Sequence, residues 1–181
     1  TSARPHTVRF CGTTTRAAEF PLPTKLGGSV VVINNVAAPL VYVSPGQINF
    51  QVPSNLTAGT ASLYVAIGGS TSAKVSFTVT GAAPAIFNNN GQAAAQNNDA
   101  SHSANTPDNP AASGSVVTVY LTGQGAVDNP VSDGTAAPSS PLSKAKASFS
   151  ATIGGADATV EFLGLTPGFA GLAQANLKVP D

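Results

Sequence analysis

Residues 37–53 read AAPLVYVSPGQINFQVP, and the rest of the chain is arranged around them. Leu40 and Tyr42, with the β-branched Val41 and Val43, favour a pleated strand, and Ser44-Pro45-Gly46 is turn chemistry. Ile48, Phe50 and Val52 then alternate with Asn49 and Gln51, so the second strand has one apolar and one polar face. Pro53 ends it, because proline has no N–H to give to a ladder. A second copy closes the chain: Thr166-Pro167-Gly168, followed by Gln174-Ala175-Asn176-Leu177-Lys178-Val179-Pro180. The shared pattern is a Pro-Gly turn and then Q-x-N-apolar-x-V-P, with Phe169 to Ala173 as five extra residues in the second copy. This repetition predicts an internal duplication.

Working outward, residues 7–11 alternate as a strand that ends at Gly12, and residues 17–26 are irregular, broken by Pro21 and Pro23. Residues 29–33 form a strand, with Asn34-Asn35 as a two-residue hairpin turn behind it. After the central hairpin come strands at 61–67 and 73–79, separated by Gly68-Gly69-Ser70. About seven strands in roughly 80 residues is the density of an immunoglobulin-type sandwich. Residues 88–113 are a biased run of Asn, Ala, Gln, Ser, Asp and Pro, read from composition as a crossover or linker. The strand at 115–121, SVVTVYL, then parallels HTVRFCG at 6–12, and residues 128–143 parallel the irregular 17–26. Strands at 147–153 and 158–163 flank Gly154-Gly155, the counterpart of Asn34-Asn35, and the last strand covers 174–179. Helix signals are absent. The expected architecture is therefore all-β: two tandem immunoglobulin-like β-sandwiches at 1–87 and 114–181, joined by 88–113. Nothing follows Pro180 to match the hairpin at 61–79, so the second sandwich is expected to be short by about two strands.

Charged residues are only 9% of the 181 and the formal net charge is zero. Nucleic acid calls for clustered Lys and Arg, so neither it nor an anionic membrane surface is expected as a partner. No apolar run approaches the roughly 20 residues of a membrane-spanning helix. With 42% hydrophobic residues the chain can still build a core. The absence of an initiator Met and of a signal peptide suggests a processed or excised chain. A surface poor in charge and rich in Thr, Ser and Asn points to an extracellular or cell-surface location.

Several stretches resemble the Solibacter-type C-terminal domain found at the ends of secreted or surface proteins of acidobacteria. They are Pro23-Thr24-Lys25-Leu26-Gly27-Gly28, Ala37-Ala38-Pro39-Leu40, the run from Tyr42 through Ser44-Pro45-Gly46-Gln47-Ile48-Asn49-Phe50 to Pro53, Ala83-Pro84-Ala85-Ile86-Phe87, Gly91-Gln92-Ala93-Ala94-Ala95-Gln96-Asn97, Tyr120-Leu121-Thr122-Gly123, and Pro167-Gly168 with Gln174-Ala175-Asn176. The resemblance implies an exported immunoglobulin-like or TIG-like β module with no assigned activity, and an ordered crossover at 88–113. The chain departs from that pattern after Val179-Pro180, where a further hairpin would follow.

Few residues suggest chemistry. Ser101-His102-Ser103 lies beside Asp99 and Asp108, but a triad needs a rigid scaffold and an oxyanion hole, and neighbours in a polar loop rarely supply either. His6 and His102 with the single Cys11 are too few for an ordinary zinc site. Asp99, Asp108, Asp128 and Asp133 offer oxygen ligands to calcium without the spacing of a binding loop. Gly27-Gly28, Gly68-Gly69 and Gly154-Gly155 lead into no helix and read as turns rather than phosphate cradles. Tyr42, Tyr64 and Tyr120 are more simply strand residues than a sugar platform. Asn55 opens an N-glycosylation sequon, and Thr13 to Thr15 and Ser139-Ser140 offer weaker O-linked acceptors.

No enzyme activity and no cofactor or metal are expected. The sequence predicts a non-enzymatic extracellular structural or adhesive protein that self-associates or binds other surface proteins. A sandwich missing strands would invite a neighbour's strand, and the N-terminal arm is the candidate donor, with Val8, Phe10 and Cys11 as inter-subunit contacts. The alternative is a carbohydrate- or matrix-binding module of a larger secreted protein, with glycans as partners.

Overall fold

The structure, a computed structural model, describes residues 14–89 and 91–181. Among the described residues there is no helix, and all the strand ladders are antiparallel. The described residues form two compact units: residues up to Thr80 with Ser132–Thr135, and Gly81–Val131 with Ala136–Asp181. The expected strand at 7–11 lies outside the described residues.

The first unit holds β1 (Thr15–Arg16), β2 (Ser29–Ile33), β3 (Val36–Ala37), β4 (Leu40–Ser44), β5 (Gln47–Phe50), β6 (Gly59–Ile67), β7 (Ser70–Thr71) and β8 (Val75–Val79). One sheet runs β1-β4-β5 and the other β3-β2-β6-β7, with β8 also on β6. Val31 and Ile33 from the second sheet and Leu40 and Val43 from the first are all buried, and Ile48, Phe50, Leu63 and Phe77 pack on them. Strand alternation thus supplies one core from two sheets, as a β-sandwich requires. Asn34 and Asn35 turn β2 into β3 with φ of 45° and 69°, the left-handed values of a type I′ hairpin. Asn34 also fastens this turn to β6, its Oδ1 accepting the Ser62 N–H at 2.9 Å.

Pro39 decides where the sheets divide. Its ring locks φ at about −65°, and the chain crosses here to the other sheet. Ala38 N–H still donates to Val31 O at 2.9 Å, whereas Leu40 N–H donates to Pro23 O at 2.8 Å. The loop Ser132–Thr135 completes this unit: Leu22 N–H donates to Gly134 O at 2.8 Å, Gly134 N–H to Gln51 Oε1 at 2.8 Å, and Ser54 N–H to the Asp133 carboxylate at 3.1 Å.

The second unit holds β9 (Ala85–Ile86), β10 (Asn88–Asn89), β11 (Gln92–Ala93), β12 (Ala95–Asn97), β13 (Val116–Thr122), β14 (Ala151–Ile153), β15 (Ala156–Leu165) and β16 (Ala173–Lys178). Its main sheet runs β12-β13-β16-β15-β14, with β9 also on β13. Val117, Val119 and Leu121 of β13 and Ala173, Ala175 and Leu177 of β16 form the buried face.

Residues 88–113, expected as a crossover or linker, fall in the second unit, where β12 from this stretch and β9 before it pair with β13. Among the described residues β14 pairs only with β15, so no strand takes beside it the place that β6 has beside β2. The strand expected at 147–153 is only Ala151–Ile153. The second turn is longer by the expected five residues: the innermost pair Ser44 and Gln47 flanks two residues, and the innermost pair Leu165 and Ala173 flanks seven.

The two hairpins agree in one further detail. β4 and β5 slip register between Leu40 and Tyr42, with Leu40 opposite Phe50 and Tyr42 opposite Asn49. β15 and β16 slip between Val160 and Phe162, with Val160 opposite Leu177 and Phe162 opposite Asn176. In both, the bulged residue (Val41, Glu161) follows the second turn residue (Asn35, Gly155) by six positions. The bulge is set against the same Asn-apolar pair of the Q-x-N motif each time. They differ where Pro39 stands: no proline interrupts β15, which pairs first with β14 and then with β16 as one strand.

Candidate functional site

Two surfaces follow from this architecture. The first is the outer edge of β5. Its alternation leaves Gln47 and Asn49 exposed and turns Ile48 and Phe50 toward the core, and Gln47 Nε2 donates to Asn49 Oδ1 at 2.6 Å. Among the described residues β5 pairs only with β4. The matching strand of the second unit, β16, pairs on both sides, with β15 and with β13. A strand with one free edge presents a row of unused N–H and C=O groups to any extended chain.

The second is the polar face of the β12-β13-β16-β15 sheet. Gln96, Thr118, Asn176 and Phe162 stand in one row across it, and Tyr120 and Gln174 in the next. Tyr120 Oη donates to Gln96 Oε1 at 2.5 Å. Asn176 Oδ1 accepts from Thr118 Oγ1 at 3.1 Å and from Gln174 Nε2 at 3.2 Å. These bonds orient the side chains yet leave Gln96 Nε2, Asn176 Nδ2 and Gln174 Oε1 without a hydrogen bond to the described residues. Fixed amides beside two rings can read hydroxyl groups of a neutral ligand. The alternation of AQN, VVTVYLT and AQANLK is the sequence signal for this face, and only the registers align it.

The residues singled out for chemistry do not assemble into a reactive set. Asp99 Oδ1 accepts the N–H groups of Ser101 at 3.0 Å and Ser103 at 3.2 Å, and the Ser101 hydroxyl at 2.9 Å. Its Oδ2 accepts the Ser103 hydroxyl at 2.7 Å. The serines thus bond the carboxylate directly, with no imidazole between, whereas a triad places histidine there. The Ser103 and Ser101 hydroxyls, aided by the Ser103 amide, lower the Asp99 pKa from 3.8 to about 2. His102 is exposed with φ of 47°. Beneath this loop lies Asn97, only 7% exposed. Its Nδ2 donates to Ser103 Oγ at 3.3 Å and Asn109 O at 3.1 Å, and its Oδ1 accepts from Asn105 at 2.8 Å.

Among the described residues no group of three His, Cys, Asp or Glu side chains gathers as a metal site. Asp128 instead accepts Lys144 N–H at 2.8 Å, and Asp133 holds Ser54. Tyr42 and Tyr64 occupy the two different sheets of the first unit, and Lys74 Nζ sits 5.8 Å from the Tyr64 ring centre. Asn55 is exposed in the turn between β5 and β6, as a glycosylation acceptor would be. Ser139 and Ser140 are exposed as well. His6, Val8, Phe10, Cys11 and Thr13 lie outside the described residues. No helix of the described residues is long and apolar enough to cross a membrane.

Comparison with family models, curated proteins and solved structures finds no match to this chain.

Proposed function

We propose that this chain is a non-enzymatic structural or adhesive β module of the cell exterior that assembles with copies of itself. The observation that carries the reading is the outer edge of β5, unpaired among the described residues, whereas the matching strand β16 of the second unit is paired on both sides. The turn-to-bulge spacing and the repeated Q-x-N motif support reading the two units as copies of one immunoglobulin-like plan, so a strand present in one has a place waiting in the other. The zero formal net charge and low charged content let copies approach without net repulsion. The extracellular placing rests on that surface and on the resemblance to the Solibacter-type domain. Sedimentation and electron microscopy of the undenatured chain test the reading. Particles much larger than one chain are expected, and a monodisperse single chain up to high concentration would refute it.

A second reading, a glycan-binding module, is favoured by the amide and aromatic face of Gln96, Tyr120, Gln174, Asn176 and Phe162. Its test is retention on neutral polysaccharide columns, lost in Asn176→Ala.

A further inference from the structure

Resting on the self-assembly reading, we propose that the outer edge of β5 takes residues 7–11 of a second copy of this chain as an added antiparallel strand. The second unit supplies the template. There β13 lies against β16, with Thr118 opposite Asn176, Val119 opposite Ala175 and Tyr120 opposite Gln174. The N-terminal Thr7-Val8-Arg9-Phe10-Cys11-Gly12 repeats the pattern of Thr118-Val119-Tyr120-Leu121-Thr122-Gly123: Thr-Val, an apolar residue two further on, and Gly two after that. Asn49 of β5 answers to Asn176 of β16, since each faces the first residue beyond the bulge. Carried across, the register sets Thr7 opposite Asn49, Val8 opposite Ile48 and Arg9 opposite Gln47. Val8 and Phe10 then take the face that Val119 and Leu121 take in the second unit, where both are buried. On β5 that is the face of Ile48 and Phe50, which pack on the core of the first unit.

Chain length argues that the strand comes from a neighbour. Thr15 in β1 is level with Val43 and so with Ile48. An added strand outside β5 lies three strand spacings from β1, about 14 Å, and in this register Cys11 stands a further ~10 Å along the strand direction. The separation is about 17 Å, but the four Cα steps from Cys11 to Thr15 reach at most about 14 Å. The chain cannot lay its own residues 7–11 on its own β5 in full, and a second copy has no such tether. Donor and acceptor are different surfaces of one chain, so the contact is head-to-tail and propagates unless two copies exchange arms.

The test places cysteines across the proposed ladder, at Thr7→Cys and Asn49→Cys, in a Cys11→Ser background. Directly opposite residues bring Cβ atoms to about 5 Å, close enough for a disulfide after small adjustment. Mild oxidation is expected to give covalent multimers on a non-reducing gel, absent from either single-cysteine variant. Val8→Asp, which puts a charge on the buried face of the added strand, is expected to cut the sedimenting fraction at least tenfold. If the unmodified chain assembles but the paired cysteines yield only monomer, with or without an internal disulfide, and Val8→Asp sediments unchanged, this inference falls while the self-assembly reading stands. If the unmodified chain never assembles, both fall.

Discussion

Gly164 is where the second unit leaves least room, and Gly164→Ala is the sharpest test of its packing. The residue lies in β15 opposite Gln174, with the chain at 143–145 against its other side. A Cβ here would stand 2.3 Å from Ser143 O, 2.7 Å from Phe162 Cζ and 3.0 Å from Lys144 Cα. The ring can rotate away, but two of the three contacts are backbone. To restore ordinary contact the segment must retreat by about 1 Å, which is overpacking worth roughly 1–3 kcal/mol. That retreat also opens Ala145 N–H to Leu163 O and Leu165 N–H to Ser143 O, each 2.9 Å long. Each contributes about 1 kcal/mol, and Ser143 is fully buried, so water cannot replace the lost partner cheaply. Alanine recovers about 0.4–1 kcal/mol by restricting the unfolded chain. The net loss is about 3 kcal/mol, which lowers the melting temperature of a unit this size by roughly 12–24 °C. Differential scanning calorimetry reads this directly. Gly46→Ala is the control, because a Cβ there meets nothing within 4 Å, and it should shift melting by no more than about 2 °C. A Gly164→Ala transition within that same margin would refute the packing of residues 143–145 on β15.

Leu40, fully buried between the sheets of the first unit, should lose about 2–5 kcal/mol of stability on Leu40→Ala, measured by urea denaturation. Thr166 Oγ1 is buried without a hydrogen-bond partner among the described residues, so the nearly isosteric Thr166→Val should raise melting by several degrees, and a decrease would show the hydroxyl to be satisfied. Gln51→Ala removes the acceptor of the Gly134 amide, and hydrogen exchange at that amide should quicken roughly tenfold if the bond is worth about 1.4 kcal/mol. The Asp99 carboxyl, held at about 2 by Ser103 and Ser101, has a folded pKa below its unfolded one. Its contribution to loop order is therefore complete above about pH 4 and lost as pH falls through about 2. Carboxyl NMR titration should show the low midpoint in the unmodified chain and a higher one in Ser103→Ala, and a midpoint near 4 in the unmodified chain would overturn the loop geometry.

What was legible in the sequence was what side-chain alternation encodes. β5, β13 and β16 carry a period-two pattern, β2 and β4 are β-branched runs with turn residues behind them, and each stands within a residue or two of its expected place. The pattern was silent where backbone rather than side chains makes the sheet. β12 is Ala95–Asn97, with almost nothing apolar to announce it, yet it completes the edge of β13. It tolerates a buried Asn97 because that amide is bonded at both ends to its own loop, and composition cannot reveal such pairing. Duplicated motifs also concealed a difference in path: Pro39 divides β3 from β4, and the uninterrupted β15 does both jobs with a bulge at Glu161. The candidate site was half readable for the same reason. The sequence suggests the N-terminal arm as a donor strand and the second unit, with no counterpart of the hairpin at 61–79, as its acceptor. Ladder registers put β9 and β12 on β13, and among the described residues they leave β5 paired only with β4 and β14 only with β15. An edge is a property of pairing between distant segments, so it becomes visible only once every strand's partners on both sides are known.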